Sequence, residues 1–445
     1  MGRDDLPGKF TRLIEPTGPY EAAPVVCVAV SGGGDSMALV LLLDRWARSR
    51  GGRVIGLCVD HQLRAGSDDE ARQVGSWLSR RHIEHHILTW RDSNGARALQ
   101  ENARIARYDL MEQWCRDHGI LHLFLAHNAE DQAETFLMRL NKGSGPDGLS
   151  AMSAVTERQH CRFVRPLLSV SGELLRGFLK DQGQDWIEDP SNQDPRFERI
   201  RWRRMMTEQN LSTDGFCQAA GRYGRVRTVL DGEVARLSAK CVSVHPAGFI
   251  RLHRESWFAA PAELSERVLA RSLMVVGGAV YPPRRRKLEH LMETVRGRQK
   301  TTRTLAGCVI EYAGDYILVS RELRSLPGPL PVDVGMRLTW DRRFCLNITG
   351  VARQSSAPLF VQPLGEQGDR EVRSLDPLSG SIIIPRTARL SVPALVDADG
   401  ILCVPHLAYS RPSENRQQGP NDAQINEMAF RSLNSLSGSG YFVAY

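Results

Sequence analysis

The chain has 445 residues, and its 58 Lys plus Arg against 51 Asp plus Glu leave a formal charge of +7 at pH 7, with an isoelectric point near 9.0. A hydrophobic fraction of 42% beside 24% charged residues supports large buried cores and excludes wholesale disorder, collagen and coiled coil. At roughly 150 residues per domain, the length suggests about three domains.

In chain order, MGRDDLPGKF mixes acids with bases and lacks the apolar stretch of a secretory signal. The runs Val25–Val30 and Met37–Leu43 fall far short of the ~20 residues that cross a bilayer, so the expected address is cytoplasmic with no membrane partner. Val25–Val30, Val54–Val59, His85–Leu88 and Ile120–Ala126 read as strands. Between them Ser36–Ala47, Ser67–Arg80 and Gln100–Arg116 read as helices, the second opening on a capping box from Ser67 to Glu70. Such alternation predicts an α/β domain with a parallel sheet and helices on both faces. A helical region follows. Leu264, Val268, Leu269, Leu273 and Val276 share a face that ends at Gly277-Gly278, and Leu288, Leu291, Met292 and Val295 repeat it up to Gly297. Ser325–Pro331 reads as a linker, and the remainder turns to β: Arg337–Ile348, Ser381–Ile384 and a hairpin in Ala394–Val404 turning at Asp399-Gly400.

The nine cysteines are spread singly, with no C-x-x-C pair, so buried or free thiols are expected rather than zinc, an iron–sulfur cluster or a disulfide framework. Charge is less even. Arg196–Arg204 holds five arginines and one Glu, and Arg284–Arg303 sets eight bases against two acids. Arginine-dominated clusters suit a polyanionic partner, because the planar guanidinium binds phosphate bidentately and stacks on bases.

The richest segment is Val25–Leu43, in which a strand runs through Ser31-Gly32-Gly33-Gly34-Asp35-Ser36 straight into an apolar helix. Glycines let the backbone approach a ligand closely, and a helix N-terminus offers unpaired N–H groups and a positive dipole end, so the loop reads as an anion cradle. No G-K-[ST] follows, which excludes a Walker A loop. Gly143-Ser-Gly-Pro-Asp-Gly148 matches G-x-G-x-x-G by letter but follows a helix, so it is read as a loop near a nucleic-acid partner and not as a dinucleotide site.

The string SGGGDS resembles the pyrophosphate loop of the N-type ATP pyrophosphatases. Val59–Arg64 (VDHQLR), Ala103–Tyr108 (ARIARY), Ala126–Thr135 (AHNAEDQAET), Gly143–Met152 (GSGPDGLSAM) and Asp189-Pro-Ser-Asn192 narrow the resemblance to the tRNA(Ile)-lysidine synthetases. The specific motifs cover about Val25–Arg204, while Leu305–Cys308 with Arg321-Glu322 and Ala394–Leu407 match more loosely. The resemblance implies a PP-loop catalytic domain at 1–214, a mainly helical tRNA-binding domain at 215–324 and a small β-rich recognition domain at 325–445. It also implies the reaction. The wobble cytidine of the CAU anticodon of tRNA(Ile) attacks the α-phosphate of ATP and releases pyrophosphate, and the ε-amine of free L-lysine then displaces AMP. The product, lysidine, switches decoding from methionine to isoleucine.

Carried over residue by residue, Ser31, Gly32, Gly33, Gly34, Asp35, Ser36, Asp60 and His61 would bind ATP. Asp35, Asp131, Glu134, Arg199 and Arg203 would be catalytic, with Mg²⁺ on Asp35 and Asp131 and the lysine on Asp131 and Glu134. Arg104, Arg107, Arg284, Arg285 and Arg286 would contact tRNA. Where the family usually has His-His-x-Asp-Asp this chain has His127-Asn128-Ala129-Glu130-Asp131, and its Arg-Asn pair is Arg199-Ile200 here. The carry-over therefore rests on Asp131 and Arg199 and leaves Glu130 and Ile200 without an assigned role. A homodimer is left open. Two other readings compete: another PP-loop tRNA-modifying enzyme such as a thiolase, and a non-catalytic RNA-binding protein on the same fold.

Overall fold

The computed structural model describes residues 5–60, 67–89, 99–188, 196, 198–279, 281–297, 302–350, 358–376, 383–412, 424–432, 434–437 and 441–443, with the side chains of residues 67 and 99–105 left aside. Contacts divide the chain into two compact units, Met1–Val229 with Gly440–Tyr445, and Leu230–Ser439.

The first unit runs α1 (Leu6–Ile14), β1 (Val25–Ala29), α2 (Gly34–Arg48), β2 (Arg53–Asp60), α3 (Ser67–Arg80), β3 (Glu84–Thr89), α4 (Leu99–Asp117), β4 (His122–Phe124), α5 (Ala129–Asn141), α6 (Pro146–Leu149), β5 (Val155–Glu157), β6 (Arg162–Val164), α7 (Gly172–Asp181) and α8 (Glu198–Glu208). The long α9 (Thr213–Cys241) follows. Its six strands form one sheet in the order β3-β2-β1-β4-β6-β5, parallel except for the antiparallel β5–β6 edge. Because successive strand residues face opposite ways, Val26, Val28 and Val54 enter a core with Phe10, Leu39, Leu43, Leu78 and Leu175. Cys27, Ile55 and Leu57 enter another with Met111 and Cys115. Helices α1, α2, α3 and α7 thus cover one face and α4 the other. Each fully buried aliphatic side chain is worth roughly 1.5–3 kcal/mol, and this two-sided burial sets the sheet edge at which β1 and β2 end. All nine cysteines are free, and all but Cys217 and Cys345 are buried. The capping box at Ser67 lies outside the described side chains.

The second unit contains α10 (Arg254–Phe258), α11 (Ala262–Gly277) and α12 (Arg285–Arg296). It also holds a five-stranded antiparallel sheet that helical periodicity did not announce: β7 (Val242–His245), β8 (Phe249–His253), β9 (Thr302–Leu305), β10 (Cys308–Ala313) and β11 (Tyr316–Arg321), in the order β7-β8-β11-β10-β9. Gly278, left-handed at φ 63°, closes α11 where the Gly277-Gly278 pair predicted a stop. Beyond Ser325 the chain is β-rich, with β12 (Leu330–Val332), β13 (Arg337–Trp340), β14 (Phe344–Thr349), β15 (Leu359–Pro363), β16 (Pro393–Asp397), β17 (Gly400–Val404), β18 (Tyr409–Ser410) and β19 (Gln424–Phe430), joined by α13 (Gly365–Leu375) and α14 (Arg386–Leu390). The hairpin expected in Ala394–Val404 is β16–β17. The strand expected at Ser381–Ile384 is corrected: residues 381 and 382 lie outside the described residues, while Ile383 and Ile384 are not in a strand. They lead into α14, whose backbone begins at Arg386 after Pro385 fixes the turn.

Candidate active site

Ser31–Gly33 leaves the end of β1 and becomes α2 at Gly34. Gly32 is left-handed at φ 83°, and a β-carbon there would sit 2.7 Å from Ile187 Cδ1 and 2.8 Å from Val74 Cγ2, so glycine is required twice over. Ile187 N–H donates to Gly32 O at 2.9 Å and holds the loop from outside. Within it, Ser36 Oγ accepts from Ser31 N–H at 3.2 Å and donates to Gly33 O at 2.8 Å. The loop is thus braced by its own serines, with the start of α2 behind it.

Asp35 stands in the first turn of α2. Asn128 Nδ2 donates to its Oδ2 at 3.1 Å, whereas Oδ1 is buried without a hydrogen-bond partner. Burial first, then the charges of Asp131 and Glu130, push the Asp35 carboxyl up to about 6, against the pull of Arg176 and the Asn128 hydrogen bond.

Asn128 also caps α5. Its Oδ1 accepts from Asp131 N–H at 3.0 Å, and Asp131 Oδ2 accepts from Asn128 N–H at 3.2 Å, a reciprocal capping box. From this helix Asp131 Oδ1 lies 4.0 Å from Arg199 Nη1, and Glu134 Oε1 accepts from Arg203 Nε at 2.6 Å. Arg199 and Arg203 project from α8, which packs on α5 through Trp202 and Met206 against Ala133 and Leu137. The Glu134 side chain is only 1% exposed and its Oε2 is unpartnered. Burial raises its pKa, and the Arg203 guanidinium holds it back. Burial would lower Arg203, but the hydrogen bond and charge of Glu134, with Asp131 and Glu130 behind it, keep it raised.

Three helices therefore bring Asp35, Asp131, Glu134, Arg199 and Arg203 together. Asp60 is buried at the end of β2, on the sheet edge from which the loop departs. His61 lies outside the described residues, as do the side chain of Arg104 and the segment Asp189–Asn192. The Arg107 guanidinium lies 5.2 Å from the Tyr108 ring centroid. Arg284, Arg285 and Arg286 are exposed at the start of α12 in the other unit, and Arg285 Nε is paired with Glu289 at 2.8 Å. In the last turn of α5, Arg139 Nη1 donates to Gly148 O at 2.9 Å and Ala151 O at 2.7 Å, which holds the segment that follows the helix, including the short α6 at Pro146–Leu149.

Sequence reasoning missed several participants. Glu130 Oε2 accepts from Gly172 N–H at 3.0 Å and ties α5 to the start of α7. Cys217 Sγ donates to Ala129 O at 3.3 Å. Trp186 and Arg176 flank Gly34. No local pattern marks these residues; the preference for acids near helix N-termini was the sole available signal, and it pointed at Glu130 without naming its partner.

A parallel sheet feeding a serine- and glycine-braced loop into a helix start, with carboxylates and arginines opposite, defines a PP-loop nucleotide-binding domain, and the PP-loop domain family matches residues 5–210. Similarity extends past that domain. The chain is 34% identical over 334 residues to a tRNA(Ile)-lysidine synthase of Wolbachia sp. subsp. Brugia malayi (strain TRS), covering 73% of this chain and 77% of the relative. It is 36% identical over 320 residues to that of Hyphomonas neptunium (strain ATCC 15444), covering 70% and 84%. It is 28% identical over 413 residues to that of Orientia tsutsugamushi (strain Boryong), covering 90% and 93%. The chain belongs to the tRNA(Ile)-lysidine synthase family, a family of ATP-using, tRNA-modifying ligases. These relatives do not favour the thiolase or the non-catalytic reading. Among the described residues no helix is long and apolar enough to cross a membrane.

Proposed function

We propose that this protein joins free L-lysine to the wobble cytidine of the CAU anticodon of tRNA(Ile), through an adenylated cytidine, with ATP yielding AMP and pyrophosphate. The observation that carries the reading is that Asn128 joins Asp35, at the anion-cradling helix start, to Asp131 on α5, the helix whose Glu134 pairs with Arg203.

Each part has a task in that chemistry. The cytidine O2 attacks the α-phosphorus, the bond to the bridging oxygen breaks, and both electrons leave with pyrophosphate. N–H groups of the loop Ser31–Ser36 receive the growing negative charge without having to reorganise. Arg199 and Arg203 face the adenylate. Asp131 and Glu134 receive the ammonium groups of lysine, whose ε-amine, with an ordinary pKa of about 10.4, must lose a proton before it can displace AMP.

The carboxylates also suit Mg²⁺. Asp35 Oδ1 is buried and accepts no hydrogen bond, and Asp131 lies close enough to add its charge to that of Asp35. Two carboxylates suit an ion that takes its other ligands from phosphate and water. Asp35 and Asp131 would hold it, and it would neutralise phosphate charge.

For the tRNA, Arg104, Arg107, Arg284, Arg285 and Arg286 supply phosphate contacts, with the catalytic domain at 1–214 and recognition by 215–324 and 325–445. The reading places the enzyme in the cytoplasm, where tRNA and lysine meet, and admits a homodimer. Incubation with ATP, tRNA(Ile) and labelled lysine tests it. Label enters the tRNA if the reading holds; pyrophosphate released without incorporation would return the thiolase-type reading, and neither event would return a binding protein.

A further inference from the structure

The loop brings no cation of its own: from Ser31 to Asp44 there is neither Lys nor Arg. Around it stand three acids, Asp35, Glu130 and Asp131, whose charges reinforce one another at Asp35. A nucleotide triphosphate adds several more negative charges, and Arg203 is already engaged with Glu134 at 2.6 Å while Arg199 faces Asp131.

Helix α7 supplies another base. A β-carbon on Gly34, the first residue of α2, would lie 3.6 Å from Arg176 Cγ. A β-carbon on Gly172 would lie 3.2 Å from Arg176 Nη1, 3.2 Å from Asn128 Nδ2 and 3.6 Å from Asp35 Oδ1. The Arg176 side chain therefore runs along the loop, and its guanidinium, the Asn128 amide and the unpartnered carboxylate oxygen crowd one point above Gly172. Glycine at 172, one turn before Arg176 on the same face of α7, leaves the space the guanidinium fills. Glu130 and Ser171 fix this helix start, with Gly172 N–H on Glu130 at 3.0 Å and Leu174 N–H on Ser171 Oγ at 3.4 Å. Arg176 is exposed, and among the described residues no carboxylate closes an ion pair with it.

We infer that Arg176 is a phosphate-binding residue of this site, its guanidinium meeting the β- and γ-phosphates of ATP and the pyrophosphate they become. The inference rests on the reading of the site as a nucleotide pocket. Arg176 takes no proton in the step. As the bond from the α-phosphorus to the bridging oxygen breaks, charge gathers on the leaving pyrophosphate, and a planar fork of donors binds two of its oxygens at once.

The test is equilibrium binding of inorganic pyrophosphate, ATP and AMP to the full chain with Mg²⁺ present, in the wild type, Arg176→Gln, Arg176→Lys and Lys180→Ala. Lys180, exposed near the end of α7, controls for general charge. Arg176→Gln should weaken pyrophosphate and ATP by about tenfold or more and keep AMP within about twofold, with Arg176→Lys recovering part of the loss and Lys180→Ala matching wild type. Unchanged pyrophosphate affinity in Arg176→Gln would overturn the inference. So would an equal loss for AMP and pyrophosphate, because Arg176 would then merely hold the loop in shape. A wild type that binds neither ATP nor pyrophosphate would instead overturn the nucleotide reading beneath it.

Discussion

Asn128 and Asp35, 93 residues apart, meet at 3.1 Å, the Asn amide donating to the carboxylate while its oxygen caps α5. One side chain thus ties the first turn of α2 to the first turn of α5, and the phosphate loop to the acids facing it. Asn128→Ala should cost about 1–2 kcal/mol, the sum of a lost cap and a less satisfied carboxylate. Asn128→Asp keeps the cap but sets a second carboxylate against Asp35, so it should be less stable than wild type at pH 8, recover as the pH falls, and lose kcat/KM for ATP. Thermal melts beside steady-state kinetics read both; a stable Asn128→Asp with full activity would mean that the tie to Asp35 is unimportant.

Asp35 carries a pH signature. Its folded pKa of about 6 stands above the ordinary 3.8, so the folded state favours the protonated form. The associated stability is fully present below the unfolded value and is lost as pH rises toward and through about 6. In metal-free protein at pH 8, Asp35→Asn should therefore be more stable than wild type, by on the order of 2 kcal/mol, while making no product. Below pH 4 the stability advantage should vanish. Denaturant melts across pH decide it, and an Asn variant less stable at pH 8 would contradict this account of the site.

Glu134 and Arg203 form a pair with a buried acid and a base whose side chain is 46% exposed. Arg203→Ala leaves Glu134 buried without its partner and should destabilise by about 1–3 kcal/mol, less than a fully buried pair would lose. Adding Glu134→Gln should recover part of that loss, while kcat stays low in both variants. A double-mutant cycle measures the coupling, and strict additivity would show that the two side chains do not act as a unit.

Arg285 should behave differently. It is exposed in the other unit, so Arg285→Ala should leave kcat at saturating tRNA unchanged and lower the slope of log affinity against log salt by about one. Arg199→Ala and Arg203→Ala should lower kcat instead. Equal effects of all three on both quantities would place the chemistry elsewhere.

Local signals made much of this legible. The sheet could be read because each strand is a short apolar run followed by a turn and a capped helix, and the loop because glycine at 32 meets a conformational demand that a side chain cannot. Contacts made at long range were not legible: nothing in Gly172–Arg176 announces that its face meets Asp35, and nothing in Glu130 that it reaches the start of α7. The sheet of β7 to β11 escaped for another reason. Its strands are four to six residues long, and β8 pairs with β11 across the intervening α10, α11 and α12, a pairing no local window holds.

In the proposed reaction this site transfers AMP to the tRNA before lysine arrives. Wild-type protein incubated with ATP labelled at the α-phosphate, Mg²⁺ and tRNA(Ile) bearing CAU, without lysine, should place label on the tRNA, and added lysine should release that label as AMP. Label that never enters the tRNA, or pyrophosphate released at the same rate with no tRNA present, would contradict the account.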